Sequence, residues 1–236
     1  MDILAATVQI QAPAVSRKLW LGLWLASMGV LIALLAILTI VIEDNPESSL
    51  DFRLLNSIVG WDLPGLVWLF AFVSFLTSNI PGLLMALSAV GFLWLLGLNR
   101  ESKALFVIWM ILGLVVYMGD ATFGEWVGRG RPFDSINDHP SYPSGHVFGS
   151  TVMFGFWLFI AGYYGLKSKL MIVGEVLLVG FLLLVGASRI HVQEHWPSDV
   201  AAGYLMGMLW LLVLIPLFLY LRKASWFFSP KLAEDP

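Results

Sequence analysis

The sequence predicts an all-α membrane protein with six transmembrane helices in a single bundle. Three observations carry that expectation. The 236 residues are 59% hydrophobic and 12% charged, with a mean hydropathy of +0.85, so lipid is the expected solvent. Apolar runs recur near the ~20 residues a helix needs to cross the hydrocarbon. Lys and Arg also separate to one side of those runs, as short cytoplasmic loops require.

The runs fall at 19–42, 80–98, 104–124, 146–165, 169–188 and 198–221. Residues 1–16 are expected in the cytosol, and the first run is long enough to stay as an uncleaved anchor. The stretch 63–77 is apolar but, at ~15 residues, short for a crossing, and Asn79-Ile80-Pro81 interrupts it. A half-buried or interfacial helix is expected there. The third run contains Asp120 and the fifth Glu175; an ionisable group inside an apolar run is a functional candidate by default. Pro143-Ser144-Gly145-His146 opens the fourth run, with Ser144 a candidate N-cap. Trp196-Pro197-Ser198-Asp199 opens the sixth, with Pro197 tolerated in a first helical turn.

With six crossings and the amino terminus inside, Arg17, Lys18, Arg100, Lys103, Lys167, Lys169, Arg222, Lys223 and Lys231 are all cytoplasmic. Both termini are then cytoplasmic, and Arg129, Arg131 and Arg189 gather on the outer side, with Arg53 as an ordinary loop charge. A bacterial cytoplasmic membrane is the expected location. No repeat, low-complexity tract or linker divides the chain, so residues 1–236 are expected to be one domain. The absence of cysteine excludes disulfides, iron–sulfur clusters and thiolate chemistry. The net charge of −3 says little about partners, but no basic stripe is present, so no nucleic-acid partner is expected.

Three run ends meet on the outer face: the end of the third, the start of the fourth and the junction of fifth and sixth. Helix starts there present unpaired N–H groups that favour anions. His146, His195, Arg131 and Arg189 add what phosphoryl transfer needs: one imidazole to attack phosphorus, another to protonate the leaving alcohol, and two guanidinium forks for the equatorial oxygens. Amides near Ser144 and Gly145 add donors that strengthen as charge develops. Asp199, four residues after His195, is expected to hold its imidazole by a hydrogen bond. No metal or cofactor is needed.

At these residues the chain resembles the type-2 phosphatidic acid phosphatase family, which includes bacterial lipid phosphatases and shares its core with vanadium haloperoxidases. The resemblance covers roughly 104–221. The family's third motif, Ser-Arg, five residues, His, three residues, Asp, is matched from Ser188 to Asp199, and its second at Pro143-Ser144-Gly145-His146. The resemblance implies three catalytic residues: His195 as the phosphorylated nucleophile, His146 as general acid and Asp199 as the orienting group. It also implies phosphate binding by Arg131, Arg189, Ser144 and Gly145. The first motif departs from the pattern: Arg131-Pro132 is present, but Gly124 stands where the family has lysine. Arg129 is the candidate to compensate for that missing cation, and Asp120 a candidate supporting acceptor.

His191-Val192-Gln193-Glu194-His195 also spells an inverted zinc-peptidase pattern, in which both histidines would bind zinc and Glu194 would act as base. Pro197 interrupts the helix that would carry it, and Pro-Ser-Gly-His would stay unexplained. The expected function is therefore a membrane lipid phosphatase. Its substrate would be a lipid phosphate monoester or diphosphate of the undecaprenyl diphosphate, phosphatidylglycerol phosphate or phosphatidate type. The alternatives are a lipid phosphotransferase with the same site, or a non-catalytic lipid-binding or transport protein using Asp120 and Glu175. Oligomeric state is left open.

Overall fold

The computed structural model describes residues 16–133, 139–163 and 169–224. Among them the secondary structure is wholly helical: Arg17–Asp44 (α1), Ser49–Val59 (α2), Leu66–Leu76 (α3), Asn79–Leu95 (α4), Asn99–Met118 (α5), a π-helical turn over Gly119–Gly124, Glu125–Val127 (α6), Gly145–Tyr163 (α7), Lys169–His191 (α8) and Pro197–Leu221 (α9).

Four helices are long and apolar enough to cross a membrane: α1, α7, α8 and α9. The pair α3 and α4 passes the same test only when joined across a 59° bend, giving at most five crossings by this measure. Two expectations change. The second crossing expected over 80–98 is instead a bent unit that begins at Leu66, because Ser78, not the proline, caps the next helix, and Pro81 falls in its first turn, where a missing N–H costs nothing. The third expected crossing, 104–124, is split between α5, whose first five residues include Arg100, Glu101 and Lys103, and the π-helical turn.

Helix α2 was not anticipated at all, since 49–59 is too polar for a span. Ser48 caps it by accepting from the Asp51 N–H at 3.1 Å. Its inner face buries Leu55 against Val73, Val147, Val185, Ile190, Trp196 and Val200. Phe52 meets Trp196 edge to face at 5.0 Å. The helix thus roofs the junction of α8 and α9.

Two glycines set how closely α7 and α9 pack. A Cβ on Gly203 would stand 2.9 Å from the Ser144 carbonyl oxygen, and one on Gly207 would stand 2.5 Å from the Thr151 Cβ. Spaced four apart, they let the backbones approach as small residues do in membrane helix pairs. Below this contact Leu105, Ile108, Phe156, Leu214 and Phe218 form a buried core among α5, α7 and α9. The long α1 faces outward along most of its length. It is tied in where the Trp24 indole N–H donates to the Leu212 carbonyl at 2.9 Å and where Thr39 Oγ1 meets Tyr142 Oη at 2.7 Å.

Candidate active site

The start of α7, the end of α8 and the start of α9 come together under α2, with the segment from Gly128 to Arg131 passing alongside. Gly128 makes that passage possible: it ends α6 with φ 61°, a conformation in which a side chain would be strained. Val185, Ser188, Arg189, His195 and Asp199 are buried, as are Ser141, Tyr142 and Ser144.

His195 lies in the short connection between α8 and α9. Its Nδ1 is 2.7 Å from the Ser141 carbonyl oxygen, an acceptor only, so Nδ1 carries the proton and the Nε2 lone pair is free. Burial pushes the imidazole well below its ordinary 6.5, and the charges of Arg189 and Arg131 push the same way. The ring is held neutral, the form a nucleophile requires.

Asp199 does not make the hydrogen bond expected of it. Its Oδ2 is 3.9 Å from His195 Nδ1 and instead accepts the Trp196 backbone N–H at 2.9 Å, closing the first turn of α9. Its Oδ1 accepts from Arg129 Nη1 at 2.6 Å. The helix start decides this geometry: at the third position of α9, a carboxylate reaches back to the cap amide more readily than sideways to the ring.

Arg129 is likewise not where a compensating phosphate cation would stand. All five of its N–H donors are taken: Nε and one Nη2 donor by the Pro46 carbonyl, the other Nη2 donor by Asp51 Oδ2, and the Nη1 pair by Ser198 Oγ and Asp199 Oδ1. It is 2% exposed and stacks beneath Trp196, 5.2 Å from the ring centroid. Gly124 closes the π-helical turn, and the side chain of Asp120 in that turn lies outside the described residues.

Arg131 and Arg189 approach each other through Glu194. Arg131 Nη1 donates to Glu194 Oε2 at 2.7 Å and to the Glu194 carbonyl at 2.9 Å, while Arg189 Nη2 is 3.9 Å from the same Oε2. A carboxylate therefore sits between the two guanidinium groups, where a phosphate oxygen would be gripped. Arg189 Nη1 also donates to Ser74 of α3. Sequence reading missed Ser74, Asp51 and Ser198, and weighed Glu194 only as a zinc-site base.

Ser144 precedes α7, but its hydroxyl does not cap the helix. The Phe148 N–H bonds to the Ser144 carbonyl at 2.9 Å, the Ser144 N–H donates to the Asp199 carbonyl at 3.2 Å, and Oγ has no partner. Three buried side-chain polar atoms lack a hydrogen-bond partner among the described residues: Ser144 Oγ, Arg189 Nε and Trp109 Nε1. The first two lie in residues that the motif resemblance assigns to phosphate. His146 and Gly145 occupy the first turn of α7 beside them. The zinc pattern is dispersed: His191 packs on Phe70 at 4.9 Å, Glu194 pairs with Arg131, and His195 faces Ser141.

Fold and site together define a helical membrane protein whose two histidines, two arginines and helix starts gather at one end of the bundle. The model of the PAP2 superfamily matches residues 119–223, the stretch that holds every one of those side chains. Over that stretch the chain is similar to the PAP2 superfamily. It is 27% identical over 150 residues, 60% of this chain and 70% of the relative, to the Escherichia coli (strain K12) protein named "Putative undecaprenyl-diphosphatase YbjG". Its fold is similar to that of a transmembrane PAP2-type phosphatidylglycerolphosphate phosphatase from Bacillus subtilis, with a TM-score of 0.70 at 19% identity over 84% of this chain and 98% of that one. It is also similar to Aquifex aeolicus LpxE, with a TM-score of 0.54 at 21% identity over 72% and 97% of the two chains.

Proposed function

We propose that this protein hydrolyses a lipid phosphate monoester or diphosphate through a phosphohistidine on His195. The observation that carries the reading is the pair of buried, unpartnered donors, Ser144 Oγ and Arg189 Nε, in the two residues whose motifs assign them to phosphate. Leaving a buried donor unmade costs about 1–3 kcal/mol, a cost that an anion accepting from both would offset.

In the first step the His195 Nε2 lone pair bonds to phosphorus as the bond from phosphorus to the leaving oxygen breaks. The electron pair departs on that oxygen, which takes a proton from His146. The imidazole becomes cationic, with its Nδ1–H still donating to Ser141. Arg131, Arg189, Ser144 and the first amides of α7 at Gly145 hold the equatorial oxygens. Water then attacks phosphorus, the N–P bond breaks, and His195 returns to its neutral form while His146 recovers its proton from the water.

The membrane arrangement that fits this chemistry has six crossings: α1, the bent α3–α4 unit, α5, α7, α8 and α9. Lys18, Arg100, Lys103, Arg222 and Lys223 then lie at the cytoplasmic ends and the site at the outer face. Undecaprenyl diphosphate and phosphatidylglycerol phosphate are the substrates to test first, given what the named relatives act on.

The test is phosphate release by purified protein across a panel of lipid phosphates and diphosphates, with chelator present throughout, and rapid-quench detection of an acid-labile phosphoenzyme. Release that disappears in His195→Ala supports the reading. Full turnover by that variant would remove the mechanism, and phosphate appearing on an added lipid acceptor would assign a phosphotransferase. Because the chain has no cysteine, single cysteines at the exposed positions Glu47 and Asn99 should label from opposite faces of the membrane; labelling from one face would overturn the topology.

A further inference from the structure

Helix α2 contributes one charged side chain to the interior, and the motifs give it no role. Asp51 is 4% exposed and uses both carboxylate oxygens. Oδ1 accepts the Ser198 backbone N–H at 2.9 Å, and Oδ2 accepts from Ser198 Oγ and from Arg129 Nη2, each at 2.6 Å. Arg129 in turn holds Asp199, so the order is carboxylate, guanidinium, carboxylate, with Ser198 bridging. Both ion pairs are almost fully withdrawn from solvent.

We propose that Asp51, carried by α2, is a positioning residue for phosphoryl transfer, acting through Arg129 and Ser198 on Asp199 and the His195 imidazole. The proposal rests on the phosphatase reading above. Its physical content is a charge balance. Two carboxylates and one guanidinium leave a net negative charge in the buried cluster, and the His195 imidazole, 3.9 Å from Asp199, becomes cationic when the N–P bond forms. Low local polarisability makes that field effective, and the fixed hydrogen bonds mean no reorganisation is needed as charge develops. Without the Asp51 charge, Arg129 and Asp199 cancel and the cation on His195 loses its stabilisation. Asp51 also ties the first turn of α9 to the roof helix, which fixes where Asp199 and His195 stand.

The interaction should strengthen in the transition state and leave the ground-state grip on phosphate alone, since that grip comes from Arg131, Arg189 and Ser144. Binding of two anions therefore separates the effects. Orthovanadate accepts a nitrogen as a fifth ligand and mimics the transferring phosphoryl group; inorganic phosphate mimics only the bound anion. Calorimetric titration of the purified protein in detergent with each anion reads the preference directly, without knowing the lipid.

The wild type is expected to prefer vanadate by on the order of 100-fold. Asp51→Asn should lose about tenfold of that preference while its phosphate affinity changes less than about twofold, and its kcat should fall with KM nearly constant. Ser198→Ala, which keeps every charge and removes only the bridge, should show a smaller loss in the same direction and serves if Asp51→Asn does not stay monodisperse. Phe52→Leu loosens α2 on Trp196 without touching the ion pairs and should keep the preference. Wild-type preference in both clamp variants, or an equal loss in Phe52→Leu, would overturn the proposal. A wild-type protein that binds neither anion would remove the phosphatase reading itself.

Discussion

Asp199 Oδ2 stands 3.9 Å from His195 Nδ1, outside hydrogen-bond reach, while the same carboxylate is bonded to Arg129 at 2.6 Å. The acid that the motif pairs with His195 is therefore not its hydrogen-bond partner, and its direct partner is a buried arginine. Replacing Asp199 by Asn should leave the α9 start intact, because the side-chain oxygen still accepts from the Trp196 N–H, but it leaves the Arg129 charge compensated by Asp51 alone. Since Asp51 still balances Arg129, the loss is that of one charge-assisted hydrogen bond, about 1.5–3 kcal/mol. Thermal unfolding in detergent should show that loss, and phosphate release should fall at least tenfold. An unchanged melting temperature would show that the pair is idle.

As the proposed nucleophile, His195 should also set the acid limit of activity. Only the neutral ring can attack, and burial together with Arg189 and Arg131 lowers its pKa below 6.5. The neutral fraction thus persists as pH falls through 6.5, so the acid limb of kcat/KM should have its midpoint below that value. The same shift bears on stability with a defined sign: the group contributes nothing above its unfolded value and costs stability as pH drops beneath it. A pH profile with its acid midpoint above 6.5 would contradict the buried, neutral imidazole.

Under the proposed function, Glu194 would compete with substrate for Arg131 and Arg189. Its carboxylate bonds Arg131 at 2.7 Å and lies 3.9 Å from Arg189. Glu194→Gln removes a negative charge from that position while keeping an acceptor for Arg131. KM should fall by roughly threefold to tenfold and inorganic phosphate should inhibit more strongly, with kcat nearly constant, as for a change in uniform binding. A raised KM would show instead that Glu194 orients the guanidinium groups.

Gly203 couples packing to chemistry, because the atom nearest its missing Cβ is the Ser144 carbonyl oxygen, at 2.9 Å. Gly203→Val must push α7 away from α9 or move the turn at Ser144. Overpacking of this kind costs about 1–3 kcal/mol. Gly22, with nothing within 4 Å of its Cβ position, is the control. Unfolding temperature and phosphate release should both drop for Gly203→Val and hold for Gly22→Ala; equal behaviour would mean that the close approach is not required.

The sequence by itself determined the helical membrane class and singled out the motif residues Arg131, His146, Arg189, His195 and Asp199. Spans announce themselves by length and hydropathy, since lipid forbids unpaired backbone, and Ser188 to Asp199 and Pro143 to His146 hold their chemistry in fixed local spacing. The number of crossings was less legible. The bend between α3 and α4 and the π-helical turn after α5 depend on how neighbouring helices re-satisfy the backbone, which periodicity does not encode. Only the tertiary structure decided the partners. Asp51 and Arg129 are 78 positions apart along the chain, and Arg189 and Ser74 are 115 apart. Arg129 looked like a spare phosphate cation because sequence gives its charge but not the five acceptors that surround it. Asp199 looked like the imidazole's partner because a spacing of four is compatible with contact, yet the first turn of α9 and a buried guanidinium compete for the same two oxygens and bind them at shorter distances.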